Sequence, residues 1–192
     1  MALCKAVVVS EFGGPEVLTV GTKPVPTPGD GEVLVNIKAS GVNPSDTYVR
    51  LGPKGPWAVT PHLIPPLPFT PGKDGAGVVA AIGPGVSGLQ QGDRVYVFGP
   101  NSGTMAEYCL CKAAVVCPLP AGLSFAEGAC IGVPAATAYR ALLQRGEAKA
   151  GDAVLTGIAS GFTCEKGFDS LVGSIRRQPR GIKWPILVHP RS

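Results

Sequence analysis

Hydrophobic positions in this chain come in short runs, and almost every run is closed by glycine or proline. Residues 5–9 and 33–39 are β-branched or alternate in polarity, the two-residue period of a half-buried strand. Turn residues separate them, first Phe12-Gly13-Gly14-Pro15 and then the stretch from Pro24 to Gly31. Strand patterns resume at 77–82, 94–98, 104–111 and 114–117, each bounded by Gly or Pro. Many short strands with this punctuation predict a compact, partly open barrel. With 27 glycines and 20 prolines, long helices are not expected, and the fold class is mainly β with short helices.

Helical signals are few and local. In Asn43-Pro44-Ser45-Asp46-Thr47-Tyr48 the proline suits a first helical position, which predicts one helical turn that fixes the direction of Tyr48. Ser124-Phe125-Ala126-Glu127 has the capping-box pattern, so a helix starts there. Pro134 is expected to interrupt it, with a second helix over 134–145 and Gly146 just past its end. Between these signals, residues 52–72 carry seven prolines (Pro53, Pro56, Pro61, Pro65, Pro66, Pro68, Pro71). A loop of that length in a compact domain is either a functional wall or disordered.

Two glycine-rich stretches invite a nucleotide-binding reading. Gly83-Pro84-Gly85-Val86-Ser87-Gly88 follows a strand, as a dinucleotide loop should, but Leu89-Gln90-Gln91-Gly92-Asp93 leads to another strand, and Pro84 lacks an N–H. A turn between two strands is the expectation. Ala153-Val154-Leu155 begins a further strand, after which Thr156-Gly157-Ile158-Ala159-Ser160-Gly161-Phe162 lacks the G-x-G-x-x-G spacing. Only 37 residues follow Leu155. Each βαβ unit takes about 30 residues, so a complete dinucleotide-binding domain is not expected.

Charge singles out the same end of the chain. Residues 1–155 carry 11 basic and 11 acidic side chains, whereas 156–192 carry 6 basic and 2 acidic, giving the whole chain a net +4. Interrupted by Pro179, Pro185 and Pro190, this basic segment is expected to be a poorly ordered tail, with nucleic-acid binding disfavoured. No apolar run approaches the roughly 20 residues that cross a bilayer. Six cysteines (Cys4, Cys109, Cys111, Cys117, Cys130, Cys164) show no metal-ligand spacing and lie in apolar segments, which predicts buried thiols in a reducing, cytoplasmic compartment. His62 in the proline-rich loop is expected to be exposed rather than a general base.

Five segments together carry a family resemblance: Glu11-Phe12-Gly13-Gly14-Pro15-Glu16-Val17-Leu18, Gly41-Val42-Asn43-Pro44, Pro71-Gly72-Lys73-Asp74-Gly75-Ala76-Gly77, Gly92-Asp93-Arg94-Val95 and Thr137-Ala138-Tyr139-Arg140-Ala141-Leu142. Residues 1 to about 155 resemble the N-terminal part of a zinc-independent medium-chain dehydrogenase/reductase, in the NADPH:quinone oxidoreductase (zeta-crystallin-like) branch. The resemblance implies a GroES-like β-barrel catalytic domain over 1–123, a helical connection with an aborted first strand of the cofactor domain over 124–155, and a divergent tail over 156–192, a truncated form lacking a complete Rossmann domain. It also implies NADPH-dependent reduction of quinones or enones by hydride transfer. Zinc-dependent relatives place a cysteine ligand at the position of Asn43 and a His-Glu pair at that of Lys73-Asp74, so no zinc is expected.

By the same resemblance the cofactor-binding residues are Tyr48, which matches a tyrosine that contacts NADPH, and Asn43 and Thr137 near the nicotinamide end of the cleft. Each also has a plain structural alternative: packed aromatic, turn-forming amide, helix-interior hydroxyl. Arg50 and Lys73 are candidates to hold a phosphate or polarise a substrate oxygen, against the usual fate of a lone basic side chain, which is to sit in solvent. Two functional classes follow: a quinone reductase by lineage with little or no independent activity in this form, or a non-catalytic module that is inert or binds a protein partner.

Overall fold

The computed structural model describes residues 2–149 together with the backbone of 153–156 and 186–189. The chain divides into two units, Met1–Pro134 and Ala135–Ser192.

In the first unit, β1 (Leu3–Val9) pairs antiparallel with β2 (Leu18–Pro24) as an isolated hairpin, in register from Leu3 opposite Pro24 to Val9 opposite Leu18. A five-stranded antiparallel sheet is built from β3 (Glu32–Gly41), β4 (Asp74–Ile82), β5 (Arg94–Phe98), β6 (Tyr108–Lys112) and β7 (Val116–Pro118), in the order β6-β3-β4-β5-β7. The hairpin joins the rest of the barrel through short bridges, with the Val7 N–H donating to Met105 O at 2.8 Å and the Val9 N–H to Phe69 O at 2.9 Å. Alternation puts one face of these strands inside: Val33, Val35, Val79, Val95, Val97, Cys109, Cys111 and Val116 form one buried cluster. Ala76, Leu119 and Ala129 form a second, on which Phe125 and Ile131 pack.

Most strands fall where periodicity places them, and the exceptions have local causes. β2 is mostly exposed, with a single neighbour, so its inward positions carry no apolar alternation to read. The strand expected over 104–111 starts only at Tyr108. Gly103 has φ +72° and the Thr104 hydroxyl is turned onto Asp74 O at 2.8 Å, which takes this segment out of the ladder. The first residues of the strand expected over 114–117 instead form a 3₁₀ turn, Ala113–Val115. The Gly83–Gly88 stretch is a turn between β4 and β5, as expected, with Gly85 and Gly88 at φ +75° and +76°, conformations that glycine adopts without strain.

Helix α1 (Pro44–Leu51) is longer than the single turn the sequence suggested. The proline-rich stretch after it forms three 3₁₀ turns, Gly52–Lys54, Pro56–Val59 and Pro61–Leu63, with proline in the first turn of each. Helix α2 (Phe125–Gly128) begins at the expected capping box: the Ser124 N–H donates to Glu127 Oε2 at 2.7 Å and the Glu127 N–H to Ser124 Oγ at 3.2 Å. Helix α3 (Gly132–Tyr139) starts two residues before Pro134, which lies in its first turn where a missing N–H breaks no helical bond.

In the second unit α3 continues as a π-helical turn, Arg140–Arg145, closed at Gly146. Strand β8 (Ala153–Thr156) realises the Ala153-Val154-Leu155 pattern and pairs antiparallel with β9 (Ile186–His189), which lies within the basic segment. The remainder of 156–192 lies outside the described residues, including Cys164. Among the described cysteines Cys4, Cys109 and Cys111 are buried and Cys117 is half-buried, but Cys130 is exposed, so the uniform burial expected of the thiols does not hold. It sits two residues past the end of α2. No described helix is long and apolar enough to cross a membrane.

Candidate functional site

Where β3 ends and α1 begins, the chain buries three polar side chains together. Asp74 is 1% exposed, and Asn43 and Asp46 are 6% exposed. Buried polar groups are costly unless bonded, and here the bonds are made. Asn43 is the N-cap of α1: its N–H donates to Asp46 Oδ2 at 2.8 Å, the reach-back of a capping box, and its Nδ2 donates to Asp74 Oδ2 at 2.9 Å. The Val133 N–H, in the first turn of α3, donates to both Asp74 oxygens at 2.9 and 3.0 Å. A carboxylate only accepts, so this contact fixes which end of the Asn43 amide faces inward.

The approach of Asp74 depends on residues with no side chain. A Cβ on Gly132 would collide with Asp74 Oδ1, and one on Gly41 would lie 3.1 Å from Asp74 Cβ and closer still to Ala129 O. Burial pushes the Asp74 carboxyl up from the usual carboxylate range, opposed by its bonds to Asn43 and Val133 and by nearby Lys73. Asp46 is raised for the same first reason.

Lys73 is half-buried rather than solvated, and its ammonium sits 4.0 Å from the centre of the Trp57 ring. Burial pulls its pKa down while the charges of Asp46 and Asp74 oppose that shift. Trp57 in turn meets Tyr48 edge-on, with ring centres 6.2 Å apart and planes at 66°. Tyr48 is half-buried on α1. A cavity of about 500 Å³ opens beside this group, walled by apolar residues of α1 and the proline-rich loop (Val49, Leu63, Pro65, Phe69) and by the charged side chains of Lys73, Lys23 and Asp46. The proline-rich loop is therefore a wall.

Asn43 and Tyr48 sit at opposite ends of the first turn and a half of α1. Thr137 is half-exposed on α3 in the second unit. Arg50 is tied to the N-terminal turn, donating from Nε to Gly13 O at 3.2 Å, and His62 is exposed. Asp46, Asp74 and Trp57 were not named as site residues. Asp46 was legible as the acid three positions after an Asn N-cap, whereas nothing local in the sequence marks Trp57 as the ring beneath Lys73.

Residues 29–121 match the alcohol dehydrogenase GroES-like domain family. Quinone oxidoreductase of Lama guanicoe is 49% identical over 160 residues, 83% of this chain and 46% of that protein. The human quinone oxidoreductase is 47% identical over the same shares. A mycobacterial structure described as complexed with NADPH superposes with a TM-score of 0.68 at 34% identity, over 78% of this chain and 42% of its own. The chain thus spans about half the length of the relatives it matches. Barrel, matched residues and relatives agree: the chain carries an alcohol dehydrogenase GroES-like domain and is similar, over 83% of its length, to quinone oxidoreductases of the medium-chain dehydrogenase/reductase family.

Proposed function

We propose that the described residues form the substrate-side half of a metal-free, NADPH-dependent quinone reductase of the cytoplasm, and that by themselves they hold NADPH only weakly. Weak binding is expected because every described α-helix has its N-terminus already occupied by one of the chain's own carboxylates. Asp46 closes α1, Glu127 closes α2 and Asp74 accepts from Val133 of α3. A dinucleotide's phosphates are usually held by free N–H groups at such a terminus, and here a phosphate would meet an acid instead.

The nicotinamide end fits better. Among the described residues nothing hydrogen-bonds the Tyr48 hydroxyl, so it is available to a ribose or carboxamide. NADPH, when bound, supplies the hydride. The chain's part is to orient an electron-poor ring and keep water from it, which the apolar walls of the cavity suit. A zinc mechanism does not fit the donor set: the Asn43 amide nitrogen donates to Asp74, and a lysine ammonium has no lone pair for a metal. No group of three His, Cys, Asp or Glu that could hold a metal occurs among the described residues.

Calorimetric titration of the folded 192-residue chain with NADPH tests this reading. Heats that do not saturate in the micromolar range support it. Tight, saturable binding that weakens on Tyr48→Ala overturns the claim of weak affinity. A second reading, a non-catalytic chain that binds a protein partner, is favoured by one observation: Tyr139 and Leu143, one helical turn apart, are 57% and 50% exposed.

A further inference from the structure

We propose that Lys73 is the oxygen-binding cation of the cavity, and that the cavity takes a flat aromatic or quinonoid ring carrying a carbonyl or oxyanion. The inference deepens the quinone-reductase reading and rests on it for the identity of the physiological substrate. The binding chemistry is legible without it.

Three features converge. The cavity, about 500 Å³, is the size of a small-molecule site, and its walls are mainly apolar. Its two lysines differ in what they already hold. Lys23 Nζ donates to Thr70 Oγ1 at 3.3 Å and to Ser102 O at 3.2 Å. Lys73 has only the face of Trp57, and no described acceptor takes its three N–H donors. An ammonium partly removed from water with its donors unfilled gains most from an incoming oxygen, and its four-carbon stem lets it follow that oxygen.

The carboxylates nearby do not cancel it. Asp46, which itself lines the cavity, and Asp74 are the acidic groups that act on Lys73. Asp46 accepts from the Asn43 N–H at the start of α1, and Asp74 from Asn43 Nδ2 and the Val133 N–H. Their charge is met locally by these donors and by the helix ends, and neither lies within ion-pair distance of Lys73. They help to keep the lysine charged against burial.

4-Nitrophenol is a suitable probe, because its oxyanion mimics the charged oxygen of a reduced quinone and its ionisation is visible by absorbance without any cofactor. The full chain is expected to bind the phenolate about tenfold more tightly than the phenol, which lowers the bound probe's apparent pKa by about one unit. Lys73→Met should abolish that preference, Lys73→Arg should keep it, and Lys23→Met should leave it in place. If Lys73→Met does not fold, Lys73→Gln is read in its stead. A preference that survives loss of the Lys73 charge, one that disappears instead with Lys23→Met, or no saturable binding of either form overturns the proposal. Because NADPH is absent, failure of the dinucleotide reading would leave this result unchanged, and the two can be told apart.

Discussion

Replacing Asp74 by alanine removes both acceptor oxygens from a site that is 1% exposed and leaves the Asn43 Nδ2 and Val133 N–H donors facing a void. A buried donor without a partner costs roughly 1–3 kcal/mol, so two of them would cost about 2–6. Relief from burying a carboxylate offsets part of this, since burial already raises the Asp74 pKa. The expected loss is about 3 kcal/mol, a large share of the roughly 5–15 kcal/mol that hold a typical domain together. With a denaturant slope near 2 kcal/mol per M, the urea midpoint should fall by about 1.5 M with the slope unchanged. Asp74→Asn should cost less, because one oxygen at the Oδ2 position can still take Asn43 Nδ2 at 2.9 Å and the Val133 N–H at 3.0 Å. Glu11, exposed at the surface, provides the control: Glu11→Ala should stay within about 0.5 kcal/mol. A midpoint for Asp74→Ala that drops by less than about 0.5 M, or an alanine variant no worse than the asparagine, would refute the reasoning.

The raised pKa of Asp74 has a definite sign in stability. Its folded form holds a proton more tightly than the unfolded chain, so its contribution is complete below the unfolded carboxylate value of about 3.9 and is lost as pH rises through the higher folded value. Glu32 and Glu127, lowered by hydrogen bonds, act in the opposite direction, so the test is the difference between wild type and Asp74→Asn. That difference should move against wild type as pH rises above about 4, and a flat difference in urea midpoint would count against the burial argument. Gly132→Ala should destabilise by about 1–3 kcal/mol, because the new Cβ meets Asp74 Oδ1; a neutral midpoint would show that the carboxylate has room to move. Among the described thiols, Cys130 should react first with a thiol reagent read by peptide mass spectrometry, while Cys4, Cys109 and Cys111 wait for unfolding.

The parts of this fold that could be read in advance are those governed by local rules. The β3 and β5 valines alternate, Ser124 and Glu127 stand at capping-box spacing, and the glycines of 83–88 sit between two strands, so neighbours in sequence suffice to place them. β2 escaped because an exposed strand with one partner is specified by the chain it pairs with, not by its own polarity pattern. The site divides along the same line. Asn43 and Tyr48 belong to one short helix and carry family-like motifs, but the meeting of Asp74 with Val133 joins residues far apart in sequence, and Lys73 finds Trp57 only because three 3₁₀ turns fold the proline-rich loop back. Lone basic residues are usually solvated, and that prior misplaced Lys73.

On the proposed reading, carboxylates of the chain itself occupy the helix N-termini that a dinucleotide's phosphates would need. Amide chemical shifts of the isotope-labelled chain, followed by NMR as NADPH is raised to millimolar concentration, test it most directly. The amides of Asn43, Val133 and Ser124, already donated to Asp46, Asp74 and Glu127, should stay where they are, while any weak response centres on Tyr48 and the Trp57 indole. Saturable shifts at those three amides, tracking NADPH and not a nicotinamide fragment, would contradict it.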